Sequence, residues 1–187
     1  MLDLMESAAR LGHYQWVEMR LFEMVGSWVT QVPEPEAKLL LVVHGRRHAE
    51  HAERWHERLP VLRDLPRDSL VVPANDAAVE FIAAVAGPDG ADRTIERLVA
   101  LYRVVLPALV AAYELHLDVA SPIADGPVIR SLRLVLSDEV DERDEGEALL
   151  ERLLSDDSLR GRAEGHERRL GALLALAGGL AGTRAST

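Results

Sequence analysis

The chain has 187 residues, 48% of them hydrophobic but only 4% aromatic, and a formal net charge of −10. That length suits one domain whose core is filled mainly by Leu, Val and Ala. The acidic balance gives no electrostatic ground for binding nucleic acid or an anionic membrane, and the lack of cysteine excludes disulfides, thiolate metal sites and a Cys nucleophile.

The opening stretch MLDLMESAAR carries Asp3 and Glu6 and has neither a basic segment nor a long apolar run. It does not read as a signal peptide, and with no cysteine the expected location is the cytoplasm. The first predicted helix covers 8–31, where Tyr14, Leu21, Val25 and Trp28 recur at helical spacing. VPEPE at 32–36 stops it, because two prolines cannot continue a helix. The second helix covers 34–59 and places Leu41, His44, His48, His51 and Trp55 on one face. A long connection follows to about residue 91, with a short helix capped by Asn75 and ended by the Gly87–Pro88 turn. The third long helix covers 91–118, with Ile95, Val99, Tyr102, Leu106, Leu109 and Tyr113 as its stripe and Pro107 as an expected kink. Arg103 and Pro107, near the middle of this most apolar stretch, favour a buried helix over a membrane span. The fourth helix covers 126–155, with Val128, Leu132 and Val135 on one face. The tail predicts a short fifth helix and a frayed end over 181–187. There is no strand-like alternation, no repeat, no dinucleotide or phosphate-loop glycine motif and no nucleophile elbow.

The expected architecture is all-α, a single domain over 1–187 with four long helices in two hairpins. A long crossover between helices two and three would make those two run parallel, unlike an up-down-up-down bundle with short loops.

Four of the seven histidines fall in one stretch, His44, His48, His51 and His56. Glu18 interrupts the apolar stripe of helix one, and a lone buried carboxylate needs a partner. It lies fifteen residues before Pro33, while His48 and His51 lie fifteen and eighteen after it. An antiparallel hairpin brings the three level, and positions i and i+3 point the same way. One carboxylate and two imidazoles make half of a metal site. In the second hairpin the same layer is reached over 137–147, where Glu139 and Glu142 extend the buried face and Asp138 and Asp141 flank them. On helix three the same reckoning finds Tyr102, Arg103 and Leu106, and no carboxylate. The literal Glu-x-x-His of 53–56 lies nearer the helix end and ranks below His48 and His51, and His44 sits one layer above them.

Each feature has a plainer reading beside this one. The His-rich stretch also suits a solvated face laced with i,i+4 pairs, and Glu18 also suits a buried ion pair with Arg103. Glu139 and Glu142 also suit an acidic surface, and Tyr102 also suits packing. His13, His116 and His166 read as peripheral.

On these residues the chain resembles the ferritin-like superfamily over 8–155. The resemblance implies a four-helix bundle with a Glu on helix one, Glu-x-x-His on helix two, a Glu on helix three and Glu-x-x-His on helix four, often around two irons. Glu18 matches the first position. HAEH at 48–51 matches the second in place, with His48 where Glu is usual, and Glu139 and Glu142 match the fourth, with Glu142 where His is usual. The third position is empty or taken by Tyr102. The segments LGHYQWVEMRLFEMVGSWV and RRHAEHAERWHERLP are also similar to those of an actinobacterial group of ferritin-like proteins.

The implied function is an iron- or manganese-dependent oxidoreductase or oxygenase acting on a small molecule. Glu18, His48, His51, Glu139 and Glu142 are its candidate ligands, with His44 and Asp138 as lesser ones and Tyr102 and Arg103 around them. Two alternatives stay open: a metal-free bundle that binds or scaffolds, for which a homodimer is one form, and a metal hydrolase with a three-histidine site that includes His44 and His48.

Overall fold

Local chemistry sets each helix start. In α1 (Leu4–Val29) the Asp3 side chain accepts the Glu6 amide, and the Glu6 side chain accepts the Asp3 amide in return. This capping box starts the helix a turn earlier than its apolar stripe suggests. In α2 (Pro35–Arg58) a proline occupies the first turn, where its missing N–H is not needed. The Asn75 side chain caps α3 (Asp76–Ala86), and Gly87 ends it at φ 68°. The last three helices are α4 (Thr94–Val119), α5 (Gly126–Leu153) and α6 (Asp157–Ala177). This computed structural model describes residues 2–87 and 91–182, and within them no strand forms. Pro88 of the expected turn lies outside the described residues.

The C-terminal helix departs from expectation, since α6 runs for 21 residues and is not short. Asp156 caps it, and Ala163, Leu170 and Ala177 bury one face against α3 and α4. Of the tail expected to fray, Ala181 is half-buried and Gly182 is buried, and Gly182 lies against Arg10 and His13 of α1. Residues 183–187 lie outside the described residues.

Hydrogen-bonded pairs fix the helix directions. Tyr14 meets Ala112, Glu18 meets Tyr113 and Gln31 meets Arg97, so α1 and α4 are antiparallel. Glu34 meets Thr94 and His44 meets Tyr102, so α2 and α4 run parallel. Glu36 meets Arg152, His44 meets Glu145 and His51 meets Asp138, so α2 and α5 are antiparallel. The connection between α2 and α4 therefore crosses the length of the molecule. It passes so close to α1 that a Cβ on Gly12 would sit 1.9 Å from the Leu70 carbonyl oxygen. There the Ala74 amide donates to His13 Nδ1.

By length and composition α4 is apolar enough to cross a membrane, and 67% of its most apolar window is buried inside the protein. Its turn at Ala100–Val105 is a π-helix, in which the Leu106 amide reaches back to the Leu101 carbonyl. Pro107 follows at once. Proline removes one amide donor and its ring crowds the preceding turn, and a widened turn relieves both. Below this segment Tyr14, Trp55 and Tyr113 pack with ring centroids 4.9–5.5 Å apart.

Candidate metal centre

Four helices deliver polar side chains to one buried layer. Glu18 of α1, His48 and His51 of α2, Tyr113 of α4, and Glu139 and Glu142 of α5 are all buried. One turn away, Tyr14 and Leu21 on α1, Trp55 on α2 and Val135 on α5 are also buried, so apolar walls bound the layer.

The Glu18 carboxylate bridges two partners. Its Oε2 lies 2.8 Å from His48 Nδ1, and its Oε1 accepts from the Tyr113 hydroxyl at 2.6 Å. His51 Nδ1 lies 3.6 Å from Glu18 Oε1 and 3.2 Å from Glu139 Oε1, without hydrogen-bond alignment to either. Glu139 Oε1 is also 3.8 Å from His48 Nδ1. Ligand atoms from Glu18, His48, His51 and Glu139 all lie within 4.8 Å of one another. Donors about 2.1 Å from a common ion stand about 3.0–3.4 Å apart, so these spacings suit a shared cation after small adjustments.

The outer side of each ring is held as well. His51 Nε2 pairs with Asp138, whose side chain is half exposed, at 3.2 Å. This contact turns Nδ1 inward, as an outer carboxylate does for a metal-binding histidine. Asp138 thus meets the outer nitrogen of His51 and stands outside the group formed by Glu18, His48, His51 and Glu139. His44 Nε2 pairs with Glu145 at 3.1 Å and His44 Nδ1 faces the Tyr102 hydroxyl at 2.9 Å. The network assigns His44 as neutral, donating from Nε2 and accepting at Nδ1.

Six buried side-chain atoms in this layer have no hydrogen-bond partner: His48 Nε2, His51 Nδ1 and both oxygens of Glu139 and of Glu142. Each unsatisfied buried polar group costs about 1–3 kcal/mol, so together they approach the whole stability of a domain, about 5–15 kcal/mol. An evolved core does not leave such a set unpaired without reason.

The electrostatics follow from the same crowding. Burial works to raise Glu18, but the hydrogen bond to His48 and the close His51 ring outweigh it and hold the carboxyl well below the usual range. Burial works to lower His48 and His51, but the carboxylates around them raise the two rings to about 9 and about 12. Burial pushes Glu139 up and Glu142 up to about 8, and the neighbouring carboxylates add to both. Burial holds His44 down at about 4 and pushes the Tyr102 and Tyr113 hydroxyls well above their usual value. Without a cation the layer collects protons, which a divalent ion would displace on binding.

Arg103 does not belong to the layer. It is part-exposed and binds Glu147 and Glu151, at 2.6 Å from Nη2 in each case, so it neither surrounds the centre nor pairs with Glu18. Tyr102 meets the layer through its hydroxyl, 2.9 Å from His44 Nδ1. Of the 53–56 motif, Glu53 is exposed and His56 meets Gln15, so neither side chain takes part. His13 and His116 are buried and not peripheral. The helix-three position that sequence counting left empty or gave to Tyr102, on α4, is held by Tyr113. The signal for it was present, because Tyr113 closes the apolar stripe of that helix with a polar tip.

No family model, no curated protein and no solved structure matches the chain. The functional reading therefore stands on the geometry of this layer.

Proposed function

We propose that the chain is a ferritin-like four-helix bundle that holds iron or manganese and works as a metal-dependent oxidoreductase or oxygenase on a small molecule. The long crossover and the parallel run of α2 and α4 support the family reading. The observation that carries the function is the set of six unpartnered buried atoms converging from α2 and α5. Their chemistry fits the ion: imidazole nitrogen and carboxylate oxygen, with no sulfur, suit iron and manganese.

Glu18, His48, His51 and Glu139 would hold the ion, which when bound supplies redox and Lewis-acid chemistry. The protein's own contribution is legible. Tyr113 and His48 orient Glu18, Asp138 orients His51, and the apolar turns above and below exclude water.

The test is elemental analysis of untagged protein expressed with iron and manganese supplied. One or more ions per chain is the expected result, and His51→Ala should lose them while keeping its helical circular dichroism. No metal in the wild type, even after anaerobic incubation with ferrous iron, would overturn the function. Unchanged metal content in His51→Ala would overturn the ligand assignment.

A further inference from the structure

We infer that the layer takes one divalent ion, and that the guanidinium of Arg47 stands where a second positive charge is needed. This rests on the metal reading above and narrows it.

The layer has two ends. At one, donors of Glu18, His48, His51 and Glu139 converge. At the other lies Glu142, with Oε2 at 3.7 Å from His48 Nε2 and 3.9 Å from His44 Nδ1. A second ion at this end would need further ligands, and the neighbours are already committed. Both His44 nitrogens are engaged, Nδ1 by Tyr102 and Nε2 by Glu145. His48 would have to bind through both ring nitrogens at once. Only Gly146 lets Tyr102 lie there, since a Cβ at that position would stand 2.2 Å from the Tyr102 ring.

A cation is already present at this end. Arg47 reaches in from the surface, and its Nη1 lies 3.5 Å from Glu142 Oε1. That nitrogen is buried and has no hydrogen-bond partner, so it has given up water to be there. The charges then close. Once the ion has displaced the protons, with both imidazoles neutral as ligands, Glu18, Glu139 and Glu142 are three fully buried carboxylates, matched by one divalent ion and one guanidinium. A second divalent ion would leave an excess of positive charge in a dry interior, beside the guanidinium of Arg47.

The test is anaerobic titration of metal-free protein with Mn(II) alone. Calorimetry and elemental analysis after desalting give the stoichiometry, and electron paramagnetic resonance separates an isolated ion from a coupled pair. The wild type and Arg47→Lys should each take one equivalent and show the isolated-ion spectrum. Arg47→Ala, with helical circular dichroism intact, should admit a second, weaker equivalent. Two equivalents and a coupled spectrum in the wild type would overturn the single-ion inference and leave the metal reading standing. No binding in the wild type would overturn both. One equivalent in Arg47→Ala at saturating metal would overturn the part given to Arg47.

Discussion

Gly146→Ala puts a methyl group where the Tyr102 ring now lies. The new carbon would stand 2.2–2.3 Å from Tyr102 Cγ, Cδ1 and Cε1, and contacts below 3.0 Å do not persist. The ring must move by about 1 Å in a well-packed interior, and overpacking of this kind costs about 1–3 kcal/mol. Tyr102 is 1% exposed and its hydroxyl is held 2.9 Å from His44, so the shift also strains a buried hydrogen bond worth about 1 kcal/mol. Against this, alanine is about 1 kcal/mol better than glycine inside a helix. The net expectation is a loss of about 2 kcal/mol, or a fall in Tm of about 4–8 °C for a chain of this size. Thermal and denaturant unfolding would measure it. Gly26→Ala is the matched control, since that exposed helical glycine has nothing within 4 Å of the added carbon. It should gain about 0.5–1 kcal/mol. If Gly146→Ala proves as stable as the wild type, Tyr102 is not locked by this notch.

Tyr113→Phe removes a hydrogen bond to the buried Glu18 carboxylate and should cost about 2 kcal/mol in metal-free protein, as a bond to a charged group. Tyr14→Phe removes a longer bond to a neutral carbonyl and should cost only about 1 kcal/mol, so equal losses in the two variants would contradict the charge assigned to Glu18. Burial holds His13 and His116 down at about 4, below the 6.5 of an exposed histidine. The unfolded chain therefore takes up protons that the folded one refuses, and stability present above pH 6.5 is lost as pH falls towards 4, by up to about 3 kcal/mol for each ring. His116→Gln should flatten the dependence of the denaturant midpoint on pH across that window, and an unchanged slope would refute the assignment. Chelation should lower the Tm of metal-loaded protein, since an ion at about a hundred times its Kd adds about 2.7 kcal/mol. The same treatment should leave His51→Ala unmoved.

The hairpin of α1 and α2 was the most legible part of the site. A tight turn fixes the level of every residue by counting, so Glu18, His48 and His51 could be matched from Pro33 alone. The third of the four long helices, α4, resisted the same arithmetic. Side chains in a helix lean towards its N-terminus, so Tyr113 reaches up and Glu139 reaches down, and both arrive at Glu18 and His51 from quite different counts. The π-turn at Ala100–Val105 changes the rotation of the helix, which helps explain why Arg103 faces Glu147 and Glu151 rather than the centre. The length of α6 was hidden by Gly161, Gly165 and Gly171, which lower helix propensity and are open to added bulk. What holds that helix is its packing on α3 and α4, which propensity does not register.

Among the described residues the candidate ligand atoms are unevenly shared between the two hairpins, with Glu18, His48 and His51 on the first and Glu139 on the second. Local hairpins close early in folding, and contacts across the long crossover close late. Most of the proposed coordination would therefore be assembled before the two halves of the molecule meet. An ion captured at that stage would act as a template for docking, with Glu139 closing the ring from the second hairpin. The same division sets the order of failure. Losing the ion would loosen the seam between hairpins before it frayed either one, so amides along α5 facing α2 should be the first to gain hydrogen exchange.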